Sequence, residues 1–147
     1  METVEKKKAI KGGEFLIRET EPNEIFIPEE WSEEHKMIAQ TCKDFLASEV
    51  DPNLDRIDSM EEGLMRSLLE KVGELGLLGV SVPAEYDALG SAFNSSMLSA
   101  EALGAGHSFS VAYSAHTGIG TLPILYYGNE EQKKKYIPKL ATGEWMA

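Results

Sequence analysis

From Ala102 to Asn129 the chain runs for 28 residues without an Asp, Glu, Lys or Arg, although charged residues make up 27% of the whole. A water-facing helix is normally charged, so such a stretch predicts burial on most sides. Half of the 28 residues are Gly, Ala, Ser or Thr, small enough to let another element or a ligand approach closely. Val111, Ala112, Ala115, Ile119, Leu122 and Leu125 keep helical spacing, with Ser108 or Ser110 to open the helix and Gly128 to end it. Pro123 stands too far inside to be a first-turn residue, which predicts a kink in the last turn. Pattern alone leaves two readings open: the central helix of a bundle, or a cleft wall along which an apolar ligand lies.

The flanking sequence reads as further helices. Ser32 is an N-cap ahead of Glu33 and Glu34, and Met37, Ile38, Cys42, Phe45, Leu46 and Val50 carry an apolar stripe. Pro52 predicts that this first helix stops by Asp51. Leu64, Met65, Leu68, Leu69, Val72 and Leu75 mark a second helix closed by Gly76. Leu77 to Pro83 is apolar but short and Gly/Pro-bounded; without a partner strand in the sequence it reads as a buried connector. After a turn-rich loop from Pro83 to Phe93, Asn94 or Ser95 caps a third helix through Met97, Leu98, Ala102 and Leu103. Asn129-Glu130-Glu131-Gln132 matches a capping box and opens a last helix, which Pro138 interrupts before Gly143 closes a short final turn. The expected fold class is all-α, a bundle of five to six helices over residues 31–147, preceded by an irregular arm over residues 1–30. Two apolar patches in that arm, Phe15 to Ile17 and Ile25 to Ile27, are suited to docking on the domain or on a neighbour. For its first ten residues a frayed tail weighs as much.

Composition excludes several functions. Twenty-five acids against 14 bases leave a net charge of −11, which argues against a nucleic-acid partner. The lone Cys42 excludes an internal disulfide and a cysteine zinc cluster, and fits a reducing compartment. No run reaches the ~18 apolar residues of a membrane span. Met1 to Gly13 has neither a secretory apolar region nor the acid-poor, Arg-rich character of a transit peptide. The expectation is a cytoplasmic protein. Among the histidines, His35 lies on a solvent-facing part of the first helix, while His107 and His116 are nine apart without an acidic neighbour; no metal is expected. Gly118 to Pro123 is only superficially like a dinucleotide fingerprint, since Pro123 replaces the third glycine and no strand precedes it. Lys133, Lys134 and Lys135 project in different directions from a helix, as a solvated face does.

Three motifs together carry a family resemblance: Pro83-Ala84-Glu85-Tyr86 before a Gly-containing loop, Gly118-x-Gly120-x-x-Pro123-Ile124, and Gly128-x-x-x-Gln132-Lys133-x-x-Tyr136-Ile137-Pro138-x-Leu140-x-x-Gly143-Glu144. Over roughly residues 28–147 the chain resembles the N-terminal helical domain of acyl-CoA dehydrogenases. Gly12 to Leu16 and the Ala115-His116 pair look more like the very-long-chain branch than the medium-chain one. The resemblance implies α,β-dehydrogenation of an acyl-CoA thioester by a parent enzyme, often a homo-oligomer. A carboxylate takes the α-proton, the β-hydride passes to FAD, and an electron-transfer flavoprotein removes the electrons.

For this domain the resemblance implies one side of the acyl-chain slot, with Val111, Ala112, Ala115 and Ile119 as candidates for the wall. It assigns no catalytic residue and no flavin ligand here. The family's Leu-Thr-Glu-Pro and Gly-Ser-Asp stretches at the flavin would follow Ala147, so the expectation is a piece ending before the flavin-holding β-domain. Alone, it should bind no FAD and oxidise no acyl-CoA. One departure stands out: the family's Gly-Gly after Glu-Tyr is Asp87-Ala88 here, and Ala reaches positive φ less readily. Two rivals stay open, namely the same domain in an acyl-CoA oxidase or flavin monooxygenase, and an acidic helical interaction module without catalysis.

Overall fold

In the computed structural model, which describes residues 10, 12–86, 88–90 and 93–147, the chain divides into two compact units, Met1–Glu34 and His35–Ala147. Within the first unit, the part of the arm that is described contains three single 3-10 turns, Gly12–Leu16, Pro22–Glu24 and Pro28–Glu30. Pro22 and Pro28 begin the second and third of these turns. Each occupies a first-turn position where its missing N–H is no loss. Glu24 and Glu30, three residues after the cap, accept from the backbone N–H of Glu21 and Ile27 at 3.1 and 3.3 Å. Phe15, Ile25 and Phe26 line a shared groove with Ile10 and Gly12. The frayed or docked tail concerns residues of which 1–9 lie outside the described ones.

The second unit is helical throughout, and no strand occurs among the described residues. Its helices are α1 (Glu33–Phe45), α2 (Leu54–Asp58), α3 (Leu64–Glu74), α4 (Phe93–Leu103), α5 (Ser108–Ser114), α6 (Leu122–Tyr127) and α7 (Glu130–Thr142). The fourth expected helix is thus two, α5 and α6, and α2 is an extra short one.

Helix α1 buries Ile38, Cys42 and Phe45, but Met37 is 65% exposed rather than part of the stripe. The α-helix ends at Phe45 and the chain stays coiled, through a wide π-turn at Leu46–Val50 and a 3-10 turn at Asp51–Asn53. The first helix is thus over by Asp51, as expected, and Pro52 falls in the first turn of a new segment, where no N–H is required.

α3 buries Leu68, Leu69 and Val72, and Gly76 follows it at φ +76°, a left-handed conformation that L side chains resist. Leu77, Leu78, Val80 and Val82 of the connector are almost wholly buried. Its backbone is satisfied locally by Gly79 N–H donating to Gly76 and Val82 N–H to Gly79, and remotely by the Tyr113 hydroxyl donating to the Leu77 carbonyl at 2.9 Å. Such pairing is what allows an irregular backbone to sit in a core.

Helix α4 meets the expectation at Leu103 and Ala102 but not at Met97. It buries Ser95, Ser99 and Leu103 and leaves Phe93 and Met97 exposed. Asn94 and Ser95 lie inside the first turn rather than before it. The Ser99 hydroxyl is satisfied within the helix, donating to the Ser95 carbonyl at 2.8 Å, and Ser81 donates to Ser96 at 2.8 Å. Short, paired hydroxyls let this helix approach the core closely at little polar cost. In the preceding loop Gly90 takes φ +65°, while Asp87 lies outside the described residues.

Helix α7 opens on the capping box: Asn129 Oδ1 accepts from Gln132 N–H at 2.8 Å and Gln132 Oε1 from Asn129 N–H at 2.9 Å. Pro138 does not interrupt it; the helix continues to Thr142 and ends on Gly143 at φ +81°. The carbonyl that Pro138 leaves without a helical donor belongs to Lys134, an exposed residue that solvent reaches. Buried Ile137, Leu140 and Ala141 hold the turns on either side.

Two outcomes test this packing. Asn129→Ala should lower stability by about 1 kcal/mol in chemical denaturation. Gly73→Ala should be worse, at ~1–3 kcal/mol from overpacking, because its Cβ would sit 2.5 Å from the Thr142 carbonyl oxygen on α7.

Candidate functional site

The uncharged segment is organised by a change of helical pitch. Along α5 and into the turn that follows it the buried residues are Phe109, Tyr113 and His116, spaced as an α-helix requires. The next buried residues are Thr121 and Leu125. The five-residue step from His116 to Thr121 is taken by a π-turn at Ala115–Gly120, closed by Thr121 N–H donating to the His116 carbonyl at 3.1 Å. The Thr121 hydroxyl donates to the same carbonyl at 2.8 Å. Pro123 then occupies the start of α6 instead of kinking the end of a longer helix. Wide turns of this kind occur often at functional sites.

Opposite the buried stripe, the outer face is apolar and open. Val111 is 70% and Ile119 81% exposed, and a Cβ on Gly118 would meet nothing within 4 Å. The four wall candidates therefore split. Val111 and Ile119 face outward, Ala115 is half-buried, and Ala112 packs against the main core. Tyr126 and Tyr127 extend the apolar exposure along α6. An open groove of about 420 Å³ adjoins them, lined by Pro123, Ile124, Tyr127, Gly128, Gln132 and Tyr136.

The inner face is closed by residues 143–147. Met146 packs against the main core, and Ala147 lies so close to Gly120 that a Cβ there would collide with it. Ala147 N–H donates to His116 Nδ1 at 3.2 Å, and His116 Nε2 faces the Leu140 carbonyl at 2.9 Å. Neither His116's burial nor these partners were visible in the sequence. The only local signal was the five-residue interval from His116 to Thr121 beside two glycines, Gly118 and Gly120.

Other polar groups do not assemble into a catalytic centre. Among the described residues no three of His, Cys, Asp and Glu cluster as a metal site would. His107 begins α5 at φ +52°. Burial pushes the Cys42 thiol up to about 11, against a smaller downward pull from the Ser99 hydrogen bond. The Tyr113 hydroxyl is raised too, chiefly by burial and then by Cys42. No helix among the described residues is long and apolar enough to cross a membrane.

This helical chain has close parallels. The family description "Acyl-CoA dehydrogenase, N-terminal domain" matches residues 32–144. A probable acyl-CoA dehydrogenase of Bacillus subtilis is 48% identical over 137 residues, covering 93% of this chain and 23% of that protein. Among solved structures, an acyl-CoA dehydrogenase complexed with FAD from Bacillus anthracis superposes with a TM-score of 0.88 at 50% identity, covering 95% of this chain and 24% of that one. An acyl-CoA dehydrogenase from Geobacillus kaustophilus gives 0.71 at 34% identity, over 80% and 30%. The chain belongs to the acyl-CoA dehydrogenase family and corresponds to its N-terminal helical domain. It spans about a quarter of the length of these relatives.

The buried thiol makes stability pH-dependent. A folded-state pKa above the free value means that the unfolded chain loses its proton first, so stability is full below pH 9.0 and falls as pH rises towards 11. Urea midpoints measured across that window should decline, and Cys42→Ala should flatten part of the slope. An equally steep decline without the thiol would assign the effect elsewhere.

Proposed function

We propose that this chain serves as the N-terminal domain of a cytoplasmic, FAD-dependent acyl-CoA dehydrogenase, residues 31–147 forming the helical domain and 1–30 an arm. Its part is one wall of the slot that takes the acyl chain. The observation that carries this reading is the outward, uncharged face of the π-turn segment, where Val111 and Ile119 stand open and Gly118 leaves space beside them. An apolar chain lying there would be recognised by burial of area alone, with Ala112 and Ala115 keeping the helix thin. The reaction proposed for the whole protein is α,β-dehydrogenation of an acyl-CoA thioester, with electrons passing to an electron-transfer flavoprotein from an enzyme that is itself homo-oligomeric.

On this reading the described residues of this chain are not the ones that hold FAD. A pyrophosphate seeks free backbone donors and positive charge, but the N-terminus of α7 is occupied by the Asn129 side chain and flanked by Glu130 and Glu131. The groove at the start of α3 is lined by Asp58, Glu61 and Glu62. When bound, FAD would supply the hydride acceptor, and residues outside this chain would hold it; what these residues contribute is shape and exclusion of water.

Ile119→Arg, introduced into the flavin-loaded whole enzyme, tests the wall. A charge set into an apolar slot should raise KM for the acyl thioester ~10-fold or more while leaving flavin content unchanged. An unaltered KM would remove Ile119 from the slot.

A further inference from the structure

His116 is wholly buried, and both of its ring nitrogens have partners from different segments. Nδ1 faces the N–H of Ala147, so Nδ1 carries no proton and accepts. Nε2 faces the Leu140 carbonyl, which can only accept, so Nε2 carries the proton and donates. The two contacts together permit a single state of the ring, the neutral Nε2–H tautomer. In that state the imidazole joins three pieces of chain: the π-turn that carries the apolar face, the last turn of α7, and the segment running to Ala147. The same carbonyl of His116 takes two donors from Thr121, which holds the ring's own backbone in the wide turn. Gly120 permits the tail to press against that turn, since a Cβ there would stand 2.4 Å from the Ala147 Cβ.

We propose that His116 is a positioning residue of the acyl-binding wall, a tautomer-locked clip that holds residues 145–147 against the inner side of the Ala115–Gly120 turn and so fixes the outward display of Ile119. It rests on the slot reading for its consequence in turnover, but the clip itself is a statement about ring state and tail position. A leucine of similar size at 116 would fill the space and remove both contacts, leaving the Leu140 carbonyl buried without its donor. A glutamine would restore one donor and one acceptor.

Nitrogen-15 shifts of the histidine ring in the full chain should show a neutral imidazole protonated at Nε2. Exchange of the Ala147 amide should quicken ~10-fold or more in His116→Leu and recover in part in His116→Gln, with the amides of α3 unaffected. In the flavin-loaded enzyme the same pair should show KM for the acyl thioester raised ~3-fold or more by Leu and partly restored by Gln, with kcat changed less. A ring protonated at Nδ1, or an Ala147 amide that exchanges as in the parent chain, would overturn the clip. The ring measurement needs no variant, so it decides even if His116→Leu does not fold. Normal clip signatures with KM unmoved would retain the contact, overturn its role in the wall, and leave the slot itself to the Ile119 test.

Discussion

An α-helix that buries Phe109, Tyr113 and His116 on one side would carry its next inward positions to residues 120 and 124 if its pitch were constant. The buried residues are Thr121 and Leu125. One extra residue has been absorbed at Ala115–Gly120, and everything downstream is rotated by it. That shift turns Ile119 outward, brings Thr121 under the His116 carbonyl, and lets Pro123 begin a helix where its lack of an N–H is harmless. It also exposes the backbone of Gly120 to close approach by Ala147. The small residues of this stretch serve two faces at once: openness on the outside, and room for the tail on the inside.

The remainder of the domain holds that helix in place. The connector from Leu77 to Val82 is buried between α3 and α7, and its Leu77 carbonyl accepts the Tyr113 hydroxyl from α5. Close approaches at Gly73 of α3 and Gly79 of the connector, on Thr142 and Ala141 respectively, draw α7 against both. Leu140, at the end of α7, then presents its carbonyl to His116. The position of the apolar face is thus set through a short series of buried contacts rather than by helix propensity.

Features decided by neighbouring residues were legible in the sequence. Gly76 and Gly143 end helices because only glycine takes their left-handed conformation easily, and Asn129 with Gln132 forms its box from local geometry alone. The all-helical class and the buried connector followed from spacing and from Gly/Pro boundaries. Features decided by tertiary packing were not. Ser95 and Ser99 are buried while Met97 is exposed, the reverse of what polarity suggests, and the Ser99 hydroxyl is satisfied by the Ser95 carbonyl within the helix. Pro138 is tolerated because the carbonyl it orphans belongs to an exposed residue, Lys134. The π-turn lay below the resolution of periodicity arguments, since a one-residue slip in a segment of Gly, Ala, Ser and Thr leaves the apolar count on each face nearly unchanged. For the same reason, the pattern that nominated Val111, Ala112, Ala115 and Ile119 did not separate the two outward residues from Ala112, which packs on the core.

In the proposed function an acyl chain lies along the outer face of the π-turn segment. An acyl-CoA carrying a photoreactive diazirine on its hydrocarbon chain, irradiated in the flavin-loaded enzyme and mapped by peptide mass spectrometry, addresses this directly. Labelling should fall within residues 111–119 and be suppressed by excess unlabelled acyl-CoA. Competable labelling confined to other parts of the enzyme, with none in this segment, would contradict it.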